Sequence, residues 1–172
     1  MMKTMRFYTF VIFLLLCSAL VHRPVQAQTT DEDVAISMEE ALKRASQSDK
    51  KILVDVYATW CPYCQRMHST VYPSEEVQKA IEEYFYLVKI DIEGEGMINY
   101  LGEELTEAEF ARALQNESVP TTYFLDDRGA IIGVQPGFLE PEVFSTLLNF
   151  VGSDAFRSQT FQDYSTSRQS GK

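Results

Sequence analysis

Two cysteines separated by two residues, Cys61 and Cys64, are the side chains of this chain best suited to chemistry. Together with Pro62 and Tyr63 they form the motif C-P-Y-C. At this spacing one thiolate can attack a disulfide in another molecule, and the second thiol can then attack the mixed disulfide and release the product. A disulfide that closes so short a loop stabilises a fold very little. The spacing therefore predicts a redox-active pair rather than a structural crosslink.

A zinc site is the alternative interpretation of the cysteine pair. A zinc ribbon needs a second pair of ligands besides C-x-x-C. The chain has three cysteines and two histidines, and outside the N-terminal leader only His68 is left to complete such a site. We therefore expect no bound metal, and no cofactor other than the redox-active disulfide itself.

The elements around the pair must position its sulfur atoms. Residues 52–57 are apolar and mostly β-branched except for Asp55, which indicates a buried central strand. Pro62 fits the first turn of a helix, where a missing N–H does no harm. Unpaired N–H groups and the dipole at a helix N-terminus favour a thiolate. Cys61 is therefore predicted to be the nucleophile, and Cys64, one turn further, the resolving thiol.

The N-terminal segment has the pattern of a secretory signal peptide. Lys3 and Arg6 precede an apolar run at residues 7–21, and small residues end the segment at Ala27. We expect residues 1–27 to be cleaved off and the mature protein to be periplasmic or secreted, in a compartment that permits disulfides. An uncleaved membrane anchor is the weaker alternative, because the apolar run is shorter than the roughly 20 residues that span a bilayer.

Composition limits the chain to one domain without affinity for nucleic acid. It has 172 residues, of which 45% are hydrophobic, and a formal net charge of −10. This length supports one core, and the negative charge opposes binding to phosphates. After the signal peptide we expect a linker at 28–36, a domain at 37–151 and a C-terminal extension at 152–172. The extension is expected to be partly disordered, or to add a small docked helix through its aromatic residues.

Caps, turns and periodicity predict the remaining elements. The predicted helices begin at Ser37, Ser74, Thr106 and Pro141, with capping boxes at Ser37 and Thr106, and the predicted strands lie at 85–92, 121–125 and 130–134. Strands separated by helices must pair in parallel, whereas the last two strands form an antiparallel hairpin. We therefore expect an α/β fold with a mixed central sheet and helices on both faces.

Three segments resemble the thioredoxin superfamily in motif, order and spacing. They are Val54–Cys64, Val119-Pro120-Thr121 and Pro136-Gly137-Phe138. The resemblance covers roughly residues 37–151. The leader, the long stretch before the second segment and the aromatic tail are most similar to periplasmic thioredoxin-related proteins, with some kinship to the soluble C-terminal domain of membrane thiol-reductant transporters. The resemblance implies a thioredoxin-like three-layer sandwich and a thiol:disulfide oxidoreductase.

The resemblance also implies roles for residues near the pair. Asp55 stands where thioredoxins have a buried aspartate that helps to move the proton of the second cysteine, and Lys89 stands where a lysine approaches this acid. Lys89 could instead be an outward-facing charge. Pro120 matches the cis-proline that faces the cysteines and leaves the backbone at Val119 open to a substrate strand. The residues alone would favour an ordinary trans proline.

Trp60 and Tyr63 lie next to the two cysteines in the chain. The resemblance implies that they form, with Pro62, an apolar rim for a peptide substrate, whereas partial burial in the core is the plainer interpretation. On the helix that follows, His68 is expected to be a surface residue.

The segment between Lys89 and Pro120 is longer than in a minimal thioredoxin. Its many acids are either a solvated face or a means of selecting a basic partner. The central dipeptide Pro62-Tyr63 also occurs in glutaredoxins, so glutathione-linked exchange stays open. Asp55 and Trp60 argue against it.

These patterns predict an exported thiol:disulfide oxidoreductase that reduces protein or peptide disulfides. In an oxidising compartment such a reductase needs an electron donor, and a membrane thiol relay is the expected one. The chain is expected to be a monomer without nucleic-acid partners. The alternatives are a disulfide-forming oxidant, glutaredoxin-like exchange, and a non-catalytic peptide-binding or chaperone module. Delivery of a metal to an oxidase fits the ligand set poorly.

Overall fold

The computed structural model describes residues 35–170. The elements in chain order are α1 (Met38–Ala45), β1 (Lys51–Tyr57), α2 (Pro62–Arg66), a π-helical turn (Met67–Val71), α3 (Glu75–Tyr84), β2 (Phe85–Asp91), β3 (Met97–Tyr100), β4 (Glu103–Thr106), α4 (Glu107–Ala113), β5 (Thr121–Leu125), β6 (Ile131–Pro136), α5 (Pro141–Gly152), a 3-10 turn (Ala155–Arg157) and α6 (Phe161–Ser170). Within this part of the chain, no helix has the length and apolar composition needed to cross a membrane. The predicted signal peptide lies outside the described residues, as does most of the predicted linker, and the division into domains stays a prediction.

A four-stranded mixed sheet forms the centre of the fold, in the order β2-β1-β5-β6. Strand β1 pairs in parallel with β2 and antiparallel with β5, and β6 continues the sheet antiparallel to β5. Strand β1 is buried at every residue except Tyr57, as its nearly continuous apolar sequence predicts for a central strand. The predicted α/β class with a mixed central sheet is confirmed.

The two faces of the sheet carry separate cores, because alternate residues of a strand point to opposite faces. Ile52, Val54 and Val56 belong to a core shared with α1 and α4. Leu53 belongs to a core shared with α3, α5 and the π-helical turn. Asp55 follows Leu53 by two residues and therefore lies on this second face. The acid thus shares its face of the sheet with the segment that follows the cysteines.

Local signals set where the helices begin. The hydroxyl of Ser37 accepts a hydrogen bond from the N–H of Glu40 at 3.2 Å. The capping box predicted there is incomplete, because the Glu40 carboxylate accepts a hydrogen bond from Arg44 instead. Thr106 and Glu109 form the full reciprocal capping box at the start of α4, as predicted. Prolines occupy the first turn of α2 and of α5.

A two-stranded hairpin of β3 and β4 lies where the sequence predicted only a loop. Its turn places Leu101 and Gly102 at φ values of 54° and 90°. Leucine rarely adopts this left-handed conformation, so the sequence lacks the usual turn signal at that position. Tyr100 fixes the hairpin to the rest of the fold by donating a hydrogen bond to the Gly129 carbonyl at 2.7 Å.

The C-terminal extension packs against α5. Phe161 and Tyr164 of α6 lie beside Phe150, with ring centroids 5.5 and 5.3 Å away from it. In the residues that the structure describes, this segment thus contains a helix that packs on α5. The aromatic spacing of the tail was the signal for it.

The buried Lys51 links the start of β1 to the end of α5. Its Nζ donates to the Gly152 carbonyl at 2.9 Å and pairs with the Asp154 carboxylate at 3.0 Å. Partial burial acts to raise the pKa of Asp154, but hydrogen bonds from Lys51 and Arg157 outweigh it and hold this pKa below its ordinary value. A carboxylate with a lowered pKa stabilises the fold above its unfolded-state pKa, and this contribution is lost as the pH falls through the folded-state pKa.

Replacing Asp154 by asparagine should therefore lower the free energy of unfolding at neutral pH, by about 1 kcal/mol or less because the carboxylate is partly exposed. The loss should shrink as the pH falls below about 4. Asparagine is the matched replacement, since position 154 has a φ of 60° and asparagine tolerates that conformation. Urea unfolding across this pH range measures the effect. An equal loss at every pH would contradict the account.

Candidate active site

Cys61 and Cys64 are joined by a disulfide at the start of α2. Cys61 is the N-cap residue of α2, and its sulfur accepts a hydrogen bond from the N–H of Cys64 at 3.1 Å. The two Cα atoms are 5.2 Å apart. Cys61 is 4% exposed and Cys64 is 1% exposed. One sulfur therefore lies at a helix N-terminus, where free N–H groups stabilise a thiolate, and the other lies one turn further along.

Val119 packs against the buried cluster formed by Ala58 and the two cysteines. The peptide bond between Val119 and Pro120 is cis. The Pro120 carbonyl accepts a hydrogen bond from the N–H of Gly137 at 2.8 Å. This bond joins the segment before β5 to the segment after β6. The three segments that carry the resemblance to thioredoxins therefore meet at the disulfide or directly beside it.

Two exposed aromatic residues lie at the start of α2. Trp60 and Tyr63 are each 60% exposed, so they are surface residues rather than parts of the core. The indole N–H of Trp60 donates to the Glu93 carboxylate at 3.0 Å. The ring of Tyr63 lies 5.9 Å from the ring of Phe138. Pro62 between them is also exposed. Together these groups give the disulfide a partly aromatic border.

Sequence reasoning did not identify three neighbours of this border as site residues: Glu93, Arg66 and Phe138. The guanidinium of Arg66 lies 4.6 Å from the centre of the Phe138 ring and pairs with Glu140 at 2.8 Å. The only signal for Phe138 was its place directly after Pro136-Gly137 in a segment that resembles the family. Glu93 and Arg66 had no such signal, because charged residues are common on loops and on exposed helix faces.

Asp55 is fully buried, and it has a partner that the sequence did not predict. Its Oδ2 forms a hydrogen bond of 2.6 Å with Nε2 of His68, whose side chain is 24% exposed. His68, which was expected at the surface, is therefore partly exposed and is held by a buried acid that the sequence did not link to it. Helical bonding changes to the π type at Met67, which alters the angular spacing of the residues that follow. The rings of Tyr57 and Tyr72 lie 4.9 and 5.8 Å from the imidazole.

Lys89 is the neighbour of Asp55 in the register of β1 and β2. The lysine is half-buried. Asp55 nevertheless pairs with His68 and not with Lys89. The structure thus brings the lysine alongside the acid in the sheet without an ion pair between the two side chains.

The acid-rich segment between Lys89 and Pro120 contacts the site through Glu93. It also contains Glu107, a partly buried acid. Burial raises the pKa of Glu107, and the negative charge of Asp91 adds to this effect, against a hydrogen bond from the backbone of Asp91. A raised carboxyl pKa means that the ionised form is less favourable in the folded protein than in the unfolded chain. The folded protein therefore loses stability as the pH rises from the unfolded-state pKa of this carboxyl through its folded-state pKa.

Replacing Glu107 by glutamine should raise the free energy of unfolding at neutral pH, by about 1 kcal/mol or less. The gain should vanish at about pH 3, where glutamate is protonated in both states. Glu109→Gln is the matched control, because hydrogen bonds from the backbone and side chain of Thr106 lower the pKa of Glu109. That variant should lose stability at neutral pH. Urea unfolding of both variants measures these changes in stability. A loss of stability in Glu107→Gln would contradict the raised pKa of Glu107.

Two comparisons of sequence identify the relatives of this chain. A family model described as a thioredoxin-like domain matches residues 38–152. The thiol:disulfide interchange protein DsbD of Colwellia psychrerythraea is 26% identical over 113 residues, which are 63% of this chain and 17% of that protein. The chain therefore spans less than a fifth of the length of this curated relative.

Solved structures share the fold. A thioredoxin-fold protein from Helicobacter pylori is 21% identical, with a TM-score of 0.61 over 71% of this chain and 81% of that one. A putative disulphide-isomerase from Bacteroides thetaiotaomicron is 25% identical, with a TM-score of 0.55 over 73% and 93% of the two chains. Proteins of this fold need no cofactor, and residues 35–170 contain no cluster of acids, histidines and cysteines that could hold a metal ion. The chain belongs to the thioredoxin-like domain family, and its cysteines Cys61 and Cys64 form a disulfide at the start of α2.

Proposed function

We propose that this protein is an exported reductase of protein disulfides, in which Cys61 attacks the substrate and Cys64 resolves the mixed disulfide. The observation that carries the proposal is the position of the disulfide at the start of α2, with Cys61 as the N-cap residue. The helix N-terminus favours the thiolate of Cys61. Cys64 is 1% exposed, which suits a thiol that meets only the sulfur of its neighbour.

The proposed reaction transfers two electrons to the substrate. The Cys61 thiolate attacks one sulfur of the substrate disulfide, the S–S bond of the substrate breaks, and its other sulfur leaves as a thiolate. Cys64 then loses its proton and attacks the Cys61 sulfur, which releases the remaining substrate sulfur. The substrate sulfurs leave as thiolates and take protons from water to become two thiols, and the protein ends with the disulfide between Cys61 and Cys64.

We assign substrate binding to Trp60, Pro62, Tyr63 and the segment Val119–Pro120. Exposed aromatic rings offer apolar contact area to a peptide. Val119 packs against the buried cluster that contains the disulfide, and an extended substrate strand could form main-chain hydrogen bonds with its backbone there. The carboxylate of Glu93 beside Trp60 adds negative charge to this surface, which favours substrates that are basic or neutral near their disulfide.

Export and an external electron donor complete the proposal. The pattern of residues 1–27 supports export. An oxidising compartment returns the pair to the disulfide, so continued reduction needs a supply of electrons. The likeness of part of this chain to a thiol:disulfide interchange protein supports exchange with another thiol carrier as that supply. We take this carrier to be a membrane thiol relay.

Reduction of insulin by dithiothreitol tests the proposed function. The protein should accelerate the reaction several-fold over dithiothreitol alone, and the acceleration should increase in proportion to protein concentration. The matched control is Cys61→Ser, which lacks the attacking thiol. Wild-type protein that binds peptides but does not exceed the uncatalysed rate would contradict the proposal and favour a non-catalytic peptide-binding module.

A further inference from the structure

We propose that His68 exchanges the proton of Asp55 with solvent during the step in which Cys64 resolves the mixed disulfide. The inference rests on the proposed function and adds one residue to it. His68 acts through Asp55, so it is a positioning residue and not a group that touches the reacting sulfurs.

The contact between the two side chains connects the core to the surface. Oδ2 of Asp55 lies 2.6 Å from Nε2 of His68. The carboxylate is 0% exposed, whereas the imidazole is 24% exposed. An imidazole can take up a proton on one ring nitrogen and release a proton from the other near neutral pH. A proton on Asp55 therefore has a path to water through the ring of His68.

This contact lies on the side of the sheet that faces the cysteine-bearing segment. Asp55 shares its face of β1 with Leu53, which packs in one core with the π-helical turn. His68 follows Cys64 by four residues, close to the spacing at which helical residues are neighbours on one face. Met67, three residues after Cys64, packs in the same core as Leu53, so the segment that begins with the cysteines runs along the face of the sheet that bears Asp55, with His68 between the acid and the solvent.

Asp55 depends on His68 for its polar contacts. Oδ1 of Asp55 is buried and has no hydrogen-bond partner within residues 35–170. The neighbours of Asp55 in the sheet are Lys89 on β2 and Thr122 on β5. Lys89 does not form an ion pair with the acid, whose ionic partner is His68. Oδ1 is therefore available to take a proton while Oδ2 stays hydrogen-bonded to Nε2 of His68.

Two aromatic rings hold the imidazole in place. The ring of Tyr57 is perpendicular to it at 4.9 Å, and the ring of Tyr72 is tilted at 5.8 Å. Besides these two tyrosines, Lys89 adjoins the pair as the neighbour of Asp55 in the sheet. The pH profile of the resolving step must therefore be compared between variants that differ only at Asp55 or His68.

In the mixed disulfide the thiol of Cys64 gives its proton to Asp55, and the resulting thiolate attacks the sulfur of Cys61. The bond between Cys61 and the substrate sulfur breaks, and the substrate leaves as a thiolate. The proton passes from Asp55 to His68 and from there to water. The two cysteines are oxidised to their disulfide, and the substrate disulfide is reduced to two thiolates, which take protons from water to become thiols.

Single-turnover kinetics with a fluorescent peptide disulfide test the role of His68. In a Cys64→Ser background the assay measures only the attack by Cys61, and in the protein with both cysteines it also measures resolution. His68→Ala should slow resolution by about tenfold or more at neutral pH. The attack in the Cys64→Ser background should change less than about twofold. The matched control is Ser69→Ala, an exposed neighbour on the same turn, which should leave both steps unchanged.

Two further readouts separate proton exchange from a structural contribution. Added imidazole should restore much of the resolving rate in His68→Ala, because it can occupy the space left by the side chain. His68→Gln keeps an amide that can donate to Asp55 but cannot exchange a proton, so it should stay slow and lose the dependence of resolution on pH between about 5 and 8. Asp55→Asn should show the same flattened profile, with no further effect of His68→Gln in the double variant.

Each result has a distinct meaning. Absence of a mixed disulfide in the Cys64→Ser background would overturn the proposed function itself. Normal attack together with unchanged resolution in His68→Ala would overturn the role of His68 alone. Full activity and an unchanged pH profile in His68→Gln would also overturn it, because the side chain would then be needed only for its hydrogen bond. Near-ultraviolet circular dichroism of each variant confirms that the fold is intact, and His68→Gln serves if His68→Ala does not fold.

Discussion

Replacement of Cys61 by serine is expected to reduce disulfide exchange to the uncatalysed rate, since a serine hydroxyl does not attack disulfides. Replacement of Cys64 by serine is expected to have the opposite kinetic signature. The Cys61 thiolate would still attack, but no second thiol could resolve the product. Mixed disulfides between Cys61 and substrate should therefore accumulate, and non-reducing electrophoresis followed by mass spectrometry should detect them at position 61.

The control for these two substitutions is the double variant in which serine replaces both Cys61 and Cys64. It should form no covalent adduct. Adducts trapped by Cys61→Ser instead of Cys64→Ser would reverse the assigned roles. The structure makes that outcome unexpected, because Cys61 is the N-cap residue of α2 and Cys64 is the less exposed of the two.

Phe144→Ala is expected to cause a large loss of stability. Phe144 is 0% exposed on α5, and its ring meets Tyr72 edge-on at 5.6 Å. Removing a buried phenyl ring leaves a cavity between α5 and the π-helical turn, which typically costs about 3–5 kcal/mol. Since domains of this size have free energies of unfolding of only about 5–15 kcal/mol, urea unfolding should show a large shift in midpoint.

Val143→Ala is the matched control for the Phe144 substitution. It lies next to Phe144 on α5 but is 44% exposed, so the free energy of unfolding should change by no more than about 0.5 kcal/mol. A loss below about 1 kcal/mol in Phe144→Ala would show that the second core of the sheet does not contribute as the packing indicates.

The cysteine motif and the central strand could be predicted because their signals are local. Pro62 at a helix start and the apolar run around Asp55 identify their elements without knowledge of distant contacts. The sheet class followed from the order of strands and helices, and the capping box at Thr106 located the start of α4. These features depend on sterics and hydrogen bonding between residues that are close in the chain, so the residue types at neighbouring positions indicate them.

The partner of Asp55 could not be predicted in the same way. The residues predict a regular helix after Cys64. The periodicity of such a helix does not predict that His68 contacts a buried side chain. The change to π-helical bonding at Met67 has no signature in the local sequence, although Met67 and Val71 of this turn pack in the core. The β3–β4 hairpin was missed for a related reason. Leu101 adopts a left-handed conformation at its turn, which the surrounding structure imposes against the preference of the residue.

A redox titration of the pair Cys61 and Cys64 against glutathione tests the central claim most directly. The fraction of disulfide at each ratio of reduced to oxidised glutathione, measured after acid quenching and thiol alkylation, gives the reduction potential of the pair. A reductase should titrate as one two-electron couple at about −200 to −270 mV, the range of glutaredoxins and thioredoxin. A potential near −120 mV, typical of a strong disulfide-forming oxidant, or a pair that does not titrate reversibly would contradict the account.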